Sequence, residues 1–333
     1  MFLSVIIPTM NRIQYLRDVV ESLNNQSLDK SRYELIIMDE SSDLSVKDFV
    51  SSLTSQYDLD IKYFFHDIPG NHVGRNSGVK KAKGDIIIFL DDDVKVTENY
   101  LKSIYQSFAK DPEIALMTGR VLPLYEKEEI PDWLGYFWKT LDGANYIWEI
   151  SLMDAGNNFR KINSNLIFGC NFIVRKDIYY SYRGTYPDIF SKKNIKYSGS
   201  AETLFANKIE SDGLKVFYNP ELAVYHRVTQ ERLTPGYFYK RNFIMGIQHS
   251  YDDIRKTKKR FPAKQVLRDF YILFKSILKI ILRFYSKPER INFICALNKF
   301  KGRMQHKLWV LMDRKLFEFI IRDNYFEDGK EFI

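Results

Sequence analysis

The sequence predicts an α/β fold with a mostly parallel central sheet, helices on both faces, and an added α-helical region towards its C-terminal end. Three observations carry this expectation. Short, continuous apolar runs recur at Leu3 to Pro8, Glu34 to Asp39, Ile61 to His66 and Asp85 to Leu90, each the length of a strand buried on both faces. Between these runs, apolar residues repeat at helical spacing. From Pro235 onward the helical spacing continues without strand-like runs.

Taken in order, Leu3 to Pro8 (LSVIIP) is the first strand, and Tyr15, Leu16, Val19, Val20 and Leu23 mark the helix after it. Helices are expected around Val46 to Thr54, Gly74 to Ala82 and Thr97 to Phe108, alternating with the other three strands. Pro123 to Arg160 is rich in Trp, Tyr, Gly and Glu without a clear period and reads as a long loop-bearing insertion. Phe168 to Arg175 returns to strand, Ala201 to Ser211 is a helix ending near Gly213, and Lys215 to Tyr218 and Val224 to Arg227 are short strands. Val266 to Tyr285 is predicted as a helix that Pro288 interrupts, with a further helix at Phe293 to Leu311. In sheets of this type ligands bind beyond the carboxyl ends of the strands. Those ends carry Pro8-Thr9, Asp39-Glu40 and Asp91-Asp92-Asp93.

Composition excludes several classes. A chain of 333 residues with 45% hydrophobic and 15% aromatic content buries a substantial core and is not disordered. Cys170 and Cys295 give neither a disulfide framework nor a metal-ligand spacing, and are expected as buried thiols in a reducing compartment. The apolar start lacks a basic leader, and no apolar stretch reaches about 18 residues. A cytoplasmic location is therefore expected, with attachment to the inner face of the cell membrane as an option. Of the net charge of +8, the segment from Ile254 to Lys315 contributes +15, from 18 Lys and Arg against three acids, leaving −7 elsewhere. Within it, Lys264, Arg268, Lys275, Lys279 and Arg283 form a basic stripe on an otherwise apolar helix. Such a helix either lies on an anionic membrane surface or packs on the rest of the protein. No nucleic-acid-binding module accompanies the charge, so no nucleic-acid partner is expected.

Asp91, Asp92 and Asp93 end a fully apolar strand. Adjacent carboxylates repel, and a hard divalent cation bridging phosphate oxygens is one reason to place them together. In extended chain, Asp91 and Asp93 would share a side, one aimed at a ribose and one at a metal. The other reading is a solvated acidic loop with Thr97 capping the next helix.

The neighbouring motifs make the comparison specific. Ser4-Val5-Ile6-Ile7-Pro8-Thr9 with Asn11-Arg12, then Leu35-Ile36-Ile37-Met38-Asp39 with Ser41-Ser42-Asp43, are followed by Gly74-Arg75-Asn76-Ser77-Gly78 and Ala82-Lys83-Gly84-Asp85. Phe89-Leu90-Asp91-Asp92-Asp93, Gly169-Cys170-Asn171, Glu202, Pro220 and His226 complete a series running from about residue 3 to residue 227. In this order they resemble the family-2 glycosyltransferases, inverting enzymes whose catalytic domain has the GT-A fold. The resemblance implies a domain over residues 1–230, with a nucleotide-binding half (1–120) and an acceptor-binding half (121–230), before the basic helical region 231–333.

It also implies roles. Asp39 would accept the uracil N3–H, with Pro8, Thr9 and Asn11 near the base or ribose, which favours a UDP-sugar donor. Arg75 would bridge the base-binding carboxylate or reach phosphate, with a surface ion pair as the other reading. Asp91 and Asp92 would contact the nucleotide, while Asp93 and His226 would hold a divalent metal ion, Mn²⁺ or Mg²⁺. Glu202 would be the catalytic base, although Ala201 stands where the family has a preceding acid. Arg241 is a candidate diphosphate contact. A saccharide or lipid-linked acceptor in polysaccharide or glycolipid assembly is the implied setting, and a non-catalytic sugar-nucleotide-binding protein is the alternative. Trp133, Trp138 and Trp148 suit either sugar stacking or loop packing.

Overall fold

The computed structural model describes residues 1–68, 70–189, 194–281 and 286–326. Strands β1 (Leu3–Thr9), β2 (Tyr33–Asp39), β3 (Ile61–Phe65) and β4 (Ile86–Phe89) are parallel neighbours in the order β4-β1-β2-β3. Their Ile, Val and Leu side chains are buried on both faces, as continuous β-branched runs require. Helix α1 (Ile13–Asn24) buries Leu16, Val19, Val20 and Leu23, and α2 (Ser45–Gln56) buries Val46, Phe49, Val50 and Leu53. Helix α3 (Asn71–Lys81) begins one turn earlier than expected.

A three-residue strand, β5 (Val94–Val96), follows the acidic turn and delays α4 to Tyr100–Lys110. Asn99, not Thr97, occupies the N-cap position, and the Thr97 carbonyl accepts from Tyr100 N and the Gln26 side chain. The helix-capping role expected of Thr97 is thereby corrected.

The insertion is not mainly loop. After β6 (Ile114–Thr118), strands β7 (Val121–Tyr125), β8 (Lys139–Leu141), β9 (Ala144–Ile147) and β10 (Leu152–Asp154) build much of a second sheet. Strands β8 and β9 are joined by Asp142-Gly143, both with positive φ (49° and 67°), the two-residue turn that matches strand twist. The strands are too short for a period to register, although the Asp-Gly pair was a legible hairpin signal. Trp133 is buried with Phe137, and Trp148 packs on Phe168 at 4.6 Å between ring centres. Both are packing residues here, while Trp138 is 41% exposed.

The remaining elements are β11 (Arg160–Lys161), β12 (Phe172–Arg175), α5 (Lys176–Ser181), α6 (Ala201–Ser211), β13 (Lys215–Tyr218) and β14 (Val224–Val228). Among the described residues the main sheet has the order β11-β13-β6-β12-β4-β1-β2-β3 and the second sheet β5-β14-β7-β10-β9-β8. The main sheet is mostly parallel, with β12 inserted antiparallel between β4 and β6. Phe168 to Asn171 is not strand as expected, because Gly169–Asn171 forms a tight turn. Buried Asn171 clamps the two sheets there, donating to the Arg120 and Leu222 carbonyls and accepting from Tyr100.

Helices α7 (Pro235–Thr257), α8 (Ala263–Ile281), α9 (Lys287–Met312) and α10 (Arg314–Ile321) follow. Pro288 sits in the first turn of α9, where proline needs no hydrogen-bond partner, so α9 starts earlier than Phe293. The region is not detached: Leu316, Phe319 and Ile320 join the main core, and Phe238 and Ile291 pack with Trp133 and Phe137. Helices α7 and α9 meet at Gly246 and Gly302, where added Cβ atoms would collide with the carbonyls of Lys299 and Phe243. Gly246→Ala is expected to cost about 1–3 kcal/mol by forcing the helices apart, read as a lower urea midpoint.

The inner side of α8 is held by Asp269, which meets Arg303 and Lys307. Its outer side leaves Leu267, Phe270, Tyr271, Ile272 and Phe274 more than half exposed, beside exposed Lys264, Arg268 and Lys275. The Lys279 side chain and Arg283 lie outside the described residues. No helix among the described residues is long and apolar enough to cross a membrane.

Candidate active site

The carboxyl ends of β1, β2 and β4 bring Thr9, Asp39 and the Asp91–Asp93 turn to one edge. The acidic run is a turn rather than extended chain, so the expected alternation, with Asp91 and Asp93 on one side, does not hold. Asp92 and Asp93 instead share the Arg12 guanidinium, at 3.2 and 3.6 Å, while Asp91 turns to Arg75 at 3.1 Å. The Thr9 hydroxyl donates to Asp92 at 2.8 Å. Asn11 takes a left-handed conformation (φ 56°), and its N–H donates to Ser41 Oγ at 2.8 Å. Pro8 lies within β1, opposite Met38 of β2.

Asp39 is fully buried. One of its oxygens accepts from the Ser41 N–H and hydroxyl, and the other from the Tyr63 hydroxyl at 2.8 Å. The Asp39 carboxylate is thus prepositioned by its own neighbours. Arg75 does not bridge Asp39, and its ion pairs are made in the interior rather than at the surface. It is 1% exposed and reaches Glu202 at 2.6 Å, Asp91 at 3.1 Å and Asp188 at 3.8 Å. These ion pairs make the buried Arg75 the hub of a carboxylate cluster in which Asp188 is buried and Asp91 and Glu202 are partly exposed. A Cβ on Gly169 would run into Glu202 Oε1 and the Arg75 guanidinium, which explains glycine there. Glu202 stands in the first turn of α6, with its side chain 20% exposed.

On the second sheet, His226 of β14 faces Asp93, with Nε2 at 3.5 Å from Oδ1. Its Nδ1 pairs with the Ile150 carbonyl at 3.1 Å, an acceptor that places the ring proton on Nδ1 and the lone pair on Nε2. Burial pushes the imidazole down to about 4 against the pull of Asp93, so it is neutral at physiological pH. A neutral imidazole nitrogen and a carboxylate oxygen, converging from two elements and oriented by a backbone carbonyl, are donors that would suit a divalent cation taking its remaining ligands from outside the protein. Among the described residues, no group of three or more His, Cys, Asp and Glu side chains forms a metal site by protein ligands alone.

Arg232, which the sequence reading did not single out, lies in the turn after β14 and bridges this pair. Its guanidinium is 2.9 Å from Asp93 Oδ2 and 2.8 Å from His226 Nε2. Arg241 lies farther along, on α7, and is half-buried. Also unforeseen is Asp188, which accepts from the His72 N–H at 2.7 Å while its own N–H donates to His72 Nδ1 at 3.4 Å. Such long-range partners carry no local sequence signal.

The three aspartates have separate acidities. Burial pushes Asp91 up to about 6 and Asp92 up to about 7, outweighing Arg75 and Arg12 respectively. Burial also works against ionised Asp93, but His226, charged only in the acid range where Asp93 titrates, together with Arg232 and Arg12 holds it below the ordinary carboxylate range. Asp92 binds its proton more tightly folded than unfolded, so its stabilising contribution is present below about pH 4 and lost as pH rises through about 7. In nucleotide-free protein, Asp92→Asn should therefore gain stability relative to the parent across that window, by on the order of a few kcal/mol. Urea denaturation at pH 4 to 8 reads this, and a pH-independent difference would refute it.

Comparison with known proteins agrees with this architecture. The family described as Glycosyl transferase family 2 matches residues 4–183. A GalNAc(5)-diNAcBac-PP-undecaprenol beta-1,3-glucosyltransferase of Campylobacter jejuni is 35% identical over 106 residues, covering 31% of this chain and 33% of that protein. The minor teichoic acid biosynthesis protein GgaA of Bacillus subtilis is 34% identical over 131 residues, covering 38% and 29% respectively. These alignments span only about a third of the length of the curated relatives. Among solved structures, the mannosyltransferase PcManGT of Pyrobaculum calidifontis, in complex with GDP-Man and Mn²⁺, superposes with a TM-score of 0.55 at 13% identity, covering 93% of this chain and 74% of that one. With the mostly parallel sheet, the acidic turn at its edge and a family match over more than half its length, the chain belongs to glycosyl transferase family 2 and has the GT-A fold.

Proposed function

We propose that the protein is an inverting, metal-dependent glycosyltransferase that moves a sugar from a UDP-sugar to an acceptor hydroxyl in polysaccharide or glycolipid assembly. The observation that carries this reading is the convergence of Glu202, Asp91 and the Asp93–His226 pair on one sheet edge. Asp39 accepts the uracil N3–H, Pro8, Thr9 and Asn11 line the nucleoside, and Asp91 and Asp92 contact the donor. Arg75 holds Glu202 Oε1, which leaves Oε2 to take the proton from the acceptor hydroxyl. The acceptor oxygen then bonds to the anomeric carbon from the face opposite the diphosphate, the bond from that carbon to the leaving oxygen breaks, and configuration inverts. When bound by Asp93 and His226, a Mn²⁺ or Mg²⁺ ion supplies positive charge against the departing diphosphate. Arg241 is proposed as a further diphosphate contact.

The lipid-linked substrate in the name of the Campylobacter relative supports a lipid-linked saccharide as one class of acceptor. The exposed apolar and basic residues of α8 support peripheral attachment to an anionic membrane, on its cytoplasmic face, with about 1 kcal/mol from each basic residue near the surface. Co-sedimentation with phosphatidylglycerol vesicles, lost at high salt and absent with phosphatidylcholine, is the expected result. Binding indifferent to both would remove the membrane from the reading. The domain division proposed here, 1–230 and 231–333, follows the change from sheet to helix and leaves α10 anchored in the catalytic core.

Release of UDP from a panel of UDP-sugars, with and without Mn²⁺, tests the central proposal. Metal-dependent release supports it. Ala201, in place of an acid, favours a second reading as a non-catalytic sugar-nucleotide binder, and binding without release with any acceptor would establish that reading instead.

A further inference from the structure

The Arg232 guanidinium lies where a cation bridging Asp93 and His226 would lie. Nη2 is 2.9 Å from Asp93 Oδ2 and Nη1 is 2.8 Å from His226 Nε2, the two atoms with which this pair would meet a metal. Asp93 and His226 side chains are each 5% exposed and Arg232 is 19% exposed, so the bridge is largely shielded from water. A buried carboxylate without a counter-charge is costly, and Arg232 supplies that charge. Arg12, at 3.6 Å, is a second guanidinium on the same Asp93 oxygen, where Arg232 is the nearer at 2.9 Å.

The attachment of Arg232 differs from that of its partners. Asp93 follows a core strand and His226 is on β14, whereas Arg232 belongs to a single turn, Gln230–Leu233, between β14 and α7. That turn is held at its start by the Thr229 hydroxyl, which accepts from Arg232 N, and is followed by Thr234 capping α7. Arg232 Nη1 also donates to the Arg227 carbonyl at 3.1 Å; giving up that bond, the long side chain can leave the pair by rotating its own bonds, without disturbing either sheet. Guanidinium and divalent cation cannot occupy the same two donor atoms together.

We propose that Arg232 is a resident cation that exchanges with the metal: it closes the Asp93–His226 pair in the nucleotide-free protein, and gives way when metal arrives with a diphosphate. The displaced guanidinium then faces the incoming phosphate oxygens, for which its planar fork of donors is well suited. The consequence is ordered binding. Metal by itself must compete with an arginine already in place. Metal accompanied by a nucleoside diphosphate offers Arg232 a new anionic partner, so the exchange conserves its charge pairing. Arg232 is a positioning residue in this scheme. The inference rests on the metal-dependent reading above, and its test separates the two.

Mn²⁺ binding is measured by the loss of the free-ion electron paramagnetic resonance signal, for the whole chain and for Arg232→Gln, each with and without UDP. Expected is weak binding to the parent without UDP, tightened by on the order of tenfold in Arg232→Gln, because a pair closed by arginine about nine-tenths of the time binds metal about tenfold more weakly than one always open. UDP should tighten Mn²⁺ binding strongly in the parent and much less in the variant. Arg232→Lys, whose point charge cannot span both partners, should fall between them, and it serves as the measured variant if glutamine compromises folding. If UDP promotes Mn²⁺ binding in the parent, but neither substitution tightens binding without UDP, the exchange is wrong and the metal reading stands. If neither the parent nor either variant binds Mn²⁺ under any condition, the metal reading itself falls, and the exchange with it.

Discussion

Glu202→Gln is expected to lower the rate of sugar transfer by about two to four orders of magnitude, the usual worth of a positioned general base, while leaving UDP-sugar affinity within a few-fold of the parent. Glutamine keeps the size of the side chain and an oxygen to accept from Arg75, which lies 2.6 Å from Glu202 Oε1. It removes the capacity to take a proton. The proper comparison is therefore single-turnover transfer against donor binding measured separately, so that chemistry and affinity are not confused. Glu202→Asp should be impaired as well, because a shorter chain cannot keep the Arg75 contact and reach the acceptor at once. Undiminished transfer by Glu202→Gln would remove this residue as the base. Attention would then pass to Asp91, which Arg75 also holds and which is more exposed than Asp188.

The largest expected effect on stability comes from Arg75→Met. Arg75 is the fully buried cation among Asp91, Asp188 and Glu202. Methionine fills a similar volume but leaves those carboxylates facing one another with their counter-charge gone. Breaking a buried pair in this way costs about 3–5 kcal/mol, enough to consume much of the stability of an ordinary domain. The expected result is a large drop in urea midpoint, and a protein that still folds at low denaturant should transfer poorly because Glu202 loses its orientation. Arg75→Lys should recover part of the stability but little of the orientation, since one ammonium cannot serve several carboxylates as a fork does. Adding Asp91→Asn to Arg75→Met should restore some stability by removing one of the stranded charges, a non-additivity that a double-mutant cycle reads directly. A variant with the parent's midpoint would show that the cluster is not held by this arginine.

The parts of the protein that were legible in the sequence share one property: they are local. Strands β1, β2 and β4 are short, mostly apolar runs, and a run of that kind has few alternatives to a strand buried on both faces. Helix α6 was placed at Ala201–Ser211 as observed, because its spacing and the following Gly213 are both within one segment. Parallel strands point their carboxyl ends to one edge, so the collection of Thr9, Asp39 and Asp91–Asp93 there was also legible. The insertion was not: β8, β9 and β10 are three or four residues long, and pairing across a hairpin, rather than the pattern within each strand, defines them.

From residue order by itself came the α/β class, the strands whose ends carry the acidic turn, and the identity of the chemical groups gathered at that edge: three aspartates, a glutamate on α6 and a histidine on β14. What those groups do to one another was decided by the tertiary structure. Glu202 lies 127 residues from Arg75, and Arg232 lies 139 residues from Asp93, separations over which no periodicity carries information. The direction in which each aspartate turns, the burial that raises Asp92 while its neighbour Asp93 is lowered, and the arginine between Asp93 and His226 follow from packing. Charge interactions depend on distance and on exclusion of water, and neither quantity exists until the chain has folded.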